Sequence, residues 1–334
     1  MMSDVLCLGE LLVDWVCTEP GAELRDALSF TKAPGGAPAN TAVGLARQGI
    51  KSAFLGRVSQ DEFGTWLRAV LQESGVDVSC TVFDPEAQTR MAYVVTTASG
   101  DRKLAEFSRI ACADTRLLVA DINEEMVEAA SFLHFGSISL LEEPARTATK
   151  HAVTTAKKHG LIISYDPNVR LNLWPSKEVC RQTIIDSLSW ANIVKINEDE
   201  LEFLTGSRDF SAADALRQEK ELSLLIITLD SRGAYFSGTQ GSKLVPGFSI
   251  DLVEATGAGD GFNAGIIAGL MKDLKNATDR TQTLNSMPVE DIVKTVSRAN
   301  AVGALTCTKK GAIPALPTLE ELEQFLAAHS AAVR

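Results

Sequence analysis

No Cys-X-X-Cys pair and no cysteine–histidine cluster with zinc-ligand spacing occurs in this 334-residue chain; its six cysteines stand apart at 7, 17, 80, 112, 180 and 307. That pattern argues against a zinc fold or a disulfide framework and for buried free thiols in a reducing compartment. No apolar stretch is long enough to span a bilayer. Asp4, Glu10 and Asp14 interrupt the early apolar run, so no signal peptide is read there. Positive charge is in deficit: 32 Lys and Arg stand against 43 Asp and Glu, a net charge of −11. Such a chain is a poor general binder of nucleic acid or anionic membrane. A soluble cytoplasmic protein is expected. Familiar signatures are missing too. No GxxxxGK followed by Ser or Thr marks a P-loop, no GxGxxG follows the first apolar run, and HExxH and GxSxG do not occur.

What is present is apolar and periodic. Hydrophobic residues make up 45% of the chain, enough for a large core. Residues 5–9 (VLCLG) read as a buried first strand of a parallel sheet. Residues 31–49 hold a Pro34-Gly35-Gly36 turn and a thin, small-residue helix ending near Gly49. Residues 52–58 read as a strand, and Phe63, Trp66, Leu67, Val70 and Leu71 as the core face of a helix. Residues 89–109 break the rhythm with a hairpin turning at Ser99-Gly100-Asp101. Together with residues near 10–33 this hairpin is expected to form a small separate sheet, a lid.

From Asn123 onward strand and helix patterns alternate. Helices are expected at 123–130, 143–159, 177–190, 198–204 and near 211–219, with strands at 132–136, 161–166, 193–197 and 224–229. Strands at 233–238 and 242–252 and helices at 262–274, 289–306 and 319–329 complete the chain. This is the rhythm of a doubly wound α/β sheet, one large domain over residues 1–334 with the lid inserted.

One stretch organises the rest: Glu254-Ala255-Thr256-Gly257-Ala258-Gly259-Asp260-Gly261 ahead of an apolar helix. The glycines let an anion approach backbone N–H groups, and the positive end of the helix faces the same spot. Asp260 sets a proton acceptor beside a site built for negative charge, which suits phosphoryl transfer to a hydroxyl. The competing reading is a Gly-rich turn with Asp260 as an ordinary helix cap. Ligands in such sheets sit beyond the carboxyl ends of the strands. Asp14, Asp166-Pro167-Asn168, Arg170, Asn197, Glu200 and Thr228 all fall there. Arg170 could clamp a phosphoryl or substrate oxygen, and Asn40 could bind sugar hydroxyls or simply cap its helix. Asp14 could face a ligand or lie on the wet side of an alternating strand. Glu200 could hold Mg2+ through water or be a surface carboxylate.

With these residues laid out, the chain resembles the ribokinase-like (PfkB) sugar kinases, and within them the fructokinases. The carrying segments are Gly35-Gly36-Ala37-Pro38-Ala39-Asn40, Tyr165-Asp166-Pro167-Asn168-Val169-Arg170, Asn197-Glu198-Asp199-Glu200 and Thr256-Gly257-Ala258-Gly259-Asp260. His134-Phe135-Gly136-Ser137-Ile138-Ser139 and Gly311-Ala312-Ile313-Pro314-Ala315-Leu316-Pro317 add to them.

The resemblance implies a three-layer α/β/α core with a mostly parallel sheet and a small β lid. It implies ATP-dependent phosphorylation of a sugar hydroxyl, fructose to fructose 6-phosphate. Asp260 would be the base, and Gly257, Ala258, Gly259 and Asp260 the anion hole. Asp14, Gly35, Gly36 and Asn40 would bind the sugar, with Arg170 near the transferred group. Asn197 and Glu200 would organise Mg2+ and the phosphates, and Thr228, Gly233 and Asn300 would line the nucleotide site. A homodimer joined through the lids is implied as well.

Three departures stand out. Glu254-Ala255-Thr256 replaces the family's Asp-Thr-Thr, which puts a monovalent-cation site at Glu254 and Thr256, and so a K+ requirement, in question. Asp230 stands where a glycine is common. Ser108 stands where the fructokinase lid carries an aromatic. The alternatives are the same chemistry on ribose, 2-keto-3-deoxygluconate or a nucleoside, or a catalytically silent regulatory homologue.

Overall fold

The computed structural model describes residues 3–97 and 102–329. Its strands in chain order are β1 (Val5–Leu8), β2 (Leu12–Cys17), β3 (Phe30–Gly35), β4 (Ser52–Ser59), β5 (Thr81–Asp84), β6 (Met91–Thr96), β7 (Arg102–Phe107), β8 (Phe132–Gly136), β9 (Ile162–Asp166), β10 (Ile193–Asn197), β11 (Leu224–Thr228), β12 (Ala234–Gly238) and β13 (Gly241–Val245). The helices are α1 (Ala37–Arg47), α2 (Glu62–Glu73), α3 (Glu124–Ala129), α4 (Ala145–Lys158), α5 (Lys177–Leu188), α6 (Glu198–Thr205), α7 (Phe210–Glu219), α8 (Ala258–Leu274), α9 (Arg280–Asn285), α10 (Val289–Thr306) and α11 (Leu319–Ala328).

The main sheet runs β13-β12-β11-β10-β9-β8-β1-β4-β5. It is parallel from β11 to β5, and β12 and β13 join antiparallel at one edge. Successive strand residues face opposite layers. Val5 and Cys7 of β1 pack in the core with α1, α2, α8 and α10, while Leu6 and Leu8 pack in the core with α3, α4 and α5. The result is the expected three-layer α/β/α core.

The expected small sheet is present as β3-β2-β6-β7, four strands spanning 12–35 and 91–107. The turn expected at Ser99-Gly100-Asp101 lies outside the described residues. Asp14 therefore belongs to β2 of the small sheet and not to the edge of the main one.

Two expectations at the end of the chain need correction. The strand expected over 242–252 stops at Val245. Pro246 and Gly247 end it, since a proline donates nothing to a ladder; Gly247 instead folds against the Ser231 carbonyl and Gly233. The helix expected from 262 starts at Ala258, because Gly257 takes a left-handed conformation (φ 81°) and caps it at once. Asp260 and Gly261 thus lie in the first turn of α8.

α8 is positioned by small residues. A Cβ on Gly44 of α1 would stand 2.8 Å from the Ala264 Cβ, and one on Gly265 would stand 2.7 Å from the Ala299 Cα of α10. The thin helix read from the sequence lets α8 settle between its neighbours, with its N-terminus above the carboxyl ends of β9 and β10.

Candidate active site

The first turn of α8 offers amides to an anion. A helix leaves its leading N–H groups without intrahelical acceptors. The Ala258 amide is engaged with the Ala255 carbonyl at 3.2 Å, whereas those of Gly257, Gly259 and Asp260 have no backbone or side-chain acceptor among the described residues. Of the four residues named for the anion hole, Ala258 is thus the one whose amide is already used.

Asp260 is not the helix cap; Gly257 is. Its side chain is buried, and Oδ2 accepts a hydrogen bond from Asn40 Nδ2 at 2.8 Å. Burial raises the Asp260 pKa to about 7; Asp166 pushes the same way, while the Asn40 amide, Lys195 and Arg170 oppose the shift. Asn40, near the start of α1, is itself 5% exposed, and its Oδ1 has no partner among the described residues. The amide therefore has an acceptor left for a hydroxyl.

Asp14, Gly35 and Gly36 stand on the side of the small sheet. Gly35 lies against Asp14: a Cβ there would overlap Asp14 Oδ2. Gly36 has φ 112°, and a Cβ would collide with the Glu10 carbonyl oxygen. Glu10, which the sequence reading passed over, holds this turn. Its Oε1 accepts the Ala37 amide at 2.8 Å, and burial lifts its pKa to about 7.

Beneath the first turn of α8 lies a cation that the motifs did not reveal. Lys195 of β10 is 9% exposed, and its Nζ stands 2.9 Å from Asp166 Oδ2. The same oxygen accepts Asn263 Nδ2 of α8 at 2.7 Å, and Asp166 Oδ1 accepts the Asn168 amide at 3.1 Å. Lys195 Nζ is also 3.0 Å from the place a Cβ on Gly259 would take. Burial works against the lysine's charge, yet Asp166, Glu200 and Asp260 together hold its pKa above the ordinary value. A charged residue inside the apolar run IVKIN was the signal available for it. His134 completes the buried polar floor: its Nδ1 lies 3.1 Å from Ser164 Oγ, and burial pulls its pKa down to about 4, so the ring is neutral.

The remaining candidates sit as follows. Arg170 is half-buried, its guanidinium tied to the Val169 carbonyl at 3.1 Å and close enough to Asp260 to affect its charge. Glu200 is not a surface carboxylate. It is buried, with Oε1 accepting the Val169 amide and Oε2 the Asn197 amide, while Asn197 Oδ1 caps α6 in return. Burial and Asp166 raise its pKa.

Thr228 closes β11, with its hydroxyl 3.4 Å from the Ile196 carbonyl. Asn300 donates to the Val245 and Pro246 carbonyls, and Gly233 packs against that same segment. Both residues fix the 245–247 loop. Asp230 takes a positive φ of 51°, which explains why a glycine suits the position and why an Asp can stand in. Glu254 Oε2 accepts the Gly311 amide at 3.2 Å, and Thr256 is half-buried beside Gly257.

Unpaired amides at a helix start, a buried carboxylate among them and a buried lysine below are the parts of a small-molecule phosphotransferase. The comparisons carry this to a family. The pfkB family carbohydrate kinase profile matches residues 2–319. Fructokinase-1 of Zea mays is 41% identical over 324 residues, covering 96% of this chain and 97% of its own. A fructokinase from Xylella fastidiosa with bound ATP superposes with a TM-score of 0.87 at 29% identity, covering 98% of this chain and all of that one. A double mutant of the Vibrio cholerae O395 fructokinase, bound to fructose, ADP and a potassium ion, gives 0.80 at 31% identity, covering 98% and 99%. The chain belongs to the pfkB family of carbohydrate kinases, and it is an enzyme of that class.

Proposed function

We propose that this protein transfers the γ-phosphoryl group of ATP to fructose, forming fructose 6-phosphate. One observation carries the reading: Asp260 stands in the amide-bearing first turn of α8 while its carboxylate accepts a hydrogen bond from Asn40 of α1. Bound ATP with Mg2+ supplies the phosphoryl group and part of its charge neutralisation.

The protein's part is then as follows. The amides of Gly257, Gly259 and Asp260 hold terminal phosphate oxygens, with Lys195 Nζ beneath them and Arg170 at the flank. Asp14, Asn40 and the bare backbone at Gly35 and Gly36 orient the sugar. Asp260 Oδ takes the proton of the attacking hydroxyl. The small sheet serves as a lid that keeps water out.

Among the described residues no group of three or more His, Cys, Asp or Glu could hold a metal by itself. Mg2+ would come with the nucleotide as an ion that keeps its waters, with Glu200 beside it through water. Glu254 and Thr256 are the residues that would hold an optional K+, with Glu254 Oε2 already accepting the Gly311 amide. A homodimer joined through the lids and a cytoplasmic location belong to the same reading. Among the described residues no helix is long and apolar enough to cross a membrane.

A panel of sugars and nucleosides with ATP, read by coupled ADP release, tests the assignment. Fructose is expected to give the highest kcat/KM. Preference for ribose, 2-keto-3-deoxygluconate or a nucleoside would move the substrate, and silence on all of them would favour a regulatory homologue. Asp14→Ala is expected to raise the sugar KM far more than the ATP KM; an equal rise in both would take Asp14 out of the sugar pocket.

A further inference from the structure

A small apolar cluster stands apart from the two main cores. Leu12, Ala92 and Phe107 of the small sheet are 4%, 1% and 6% exposed, and Leu104 and Leu173 pack against them. Leu173 does not belong to that sheet. It ends the single helical turn that opens at Arg170, where the Leu173 amide bonds to the Arg170 carbonyl at 2.9 Å. The small sheet and the core therefore touch here through hydrocarbon.

This contact borders the sugar side of the site. Asp14 pairs with Ala92, and Ala92 with Phe107, so the three share one face of the sheet. A Cβ on Gly35 would meet both Asp14 Oδ2 and a methyl of Leu12. Asp14 is flanked by small residues, Ala33 on one side and Ala92 on the other, and beyond Ala92 the row turns abruptly large at Phe107. Leu173 closes the row from the core, three residues beyond Arg170. A hydroxylated sugar ring fits the small stretch beside the carboxylate. A substituent extending past it would have to displace buried aromatic and aliphatic surface.

We infer that Phe107 and Leu173 form the wall that restricts the acceptor to a compact, unsubstituted sugar and turns away nucleosides and substituted glycosides. The inference rests on the sugar-kinase reading above and adds its selectivity. The next residue, Ser108, lies outside this row, and its hydroxyl accepts the Met91 amide at 2.7 Å.

The test compares kcat/KM for fructose, inosine and a benzyl fructoside in the wild type, Leu173→Ala and Phe107→Ala. The wild type is expected to turn over fructose and leave the bulky acceptors nearly untouched. Each truncation should raise the ratio of bulky acceptor to fructose about tenfold or more, because lost methylene groups are worth that much in an apolar pocket. Phe107 is buried, so its truncation could fail to fold. Leu173 is only half-buried, and Leu173→Val provides a milder change that should move the ratio the same way. An unmoved ratio in a folded variant that still phosphorylates fructose overturns the wall. A wild type silent on every sugar overturns the kinase reading and the wall with it, so the two failures are told apart.

Discussion

Asp260→Asn is expected to lower turnover by about a hundredfold or more and to leave ATP affinity broadly intact. The amide has the shape of the carboxylate, and its oxygen can still accept the hydrogen bond that Asn40 Nδ2 gives to Asp260. What it cannot do is accept the proton of an attacking hydroxyl. The backbone amides around it are unchanged, so the phosphate contacts proposed for them should survive.

The pH profile separates this loss from a structural one. Burial holds the Asp260 carboxyl at a pKa of about 7, and only the ionised form is a base. The wild-type kcat/KM should therefore fall as pH drops through about 7, and the residual activity of Asp260→Asn should lose that acid limb. Glu10, buried behind Gly36, is raised to about 7 as well. A limb that persists in the variant would belong to Glu10. Wild-type turnover in Asp260→Asn would remove Asp260 as the base.

Legibility in the sequence followed locality. The Gly-rich turn, the Gly35-Gly36 pair and the strand ends at Asp166 and Asn197 carry their signal within a few residues, since glycine and strand periodicity act locally. The separate small sheet was legible for the same reason, as a hairpin out of step with the βα rhythm.

The partners of those residues were not. Lys195 meets Asp166 across 29 positions and Asn263 meets it across 97. In one dimension Lys195 is only a charge interrupting an apolar strand. Segment 246–252 misled because FSIDL, residues 248–252, alternates like a strand; Gly247 and its fit against Gly233 decide otherwise. Glu200 misled differently. Its spacing fits a helix surface, but the capping box with Asn197 turns it inward, where two backbone amides satisfy it.

Lys195→Met is expected to produce two separate losses. The first is stability. Asp166 is 2% exposed and would be left without its cation, and removing one member of a buried pair costs about 3–5 kcal/mol. A denaturant midpoint at neutral pH reads this directly. The second is turnover, lower by about 100- to 1000-fold, the usual cost of removing one fixed donor from a site that stabilises developing negative charge.

A structural lysine alone would also depress activity, so the single variant does not separate the roles. The double variant Lys195→Met with Asp166→Asn does. It leaves no unpaired charge, and the side-chain amide placed at position 166 keeps an oxygen that can still accept from Asn263, so stability should largely return. Turnover should stay low, because the amides of α8 would face the phosphate without the cation that lies beneath Gly259. Recovery of both together would reduce Lys195 to a scaffold for α8, whereas stability alone returning places its charge in the transfer step.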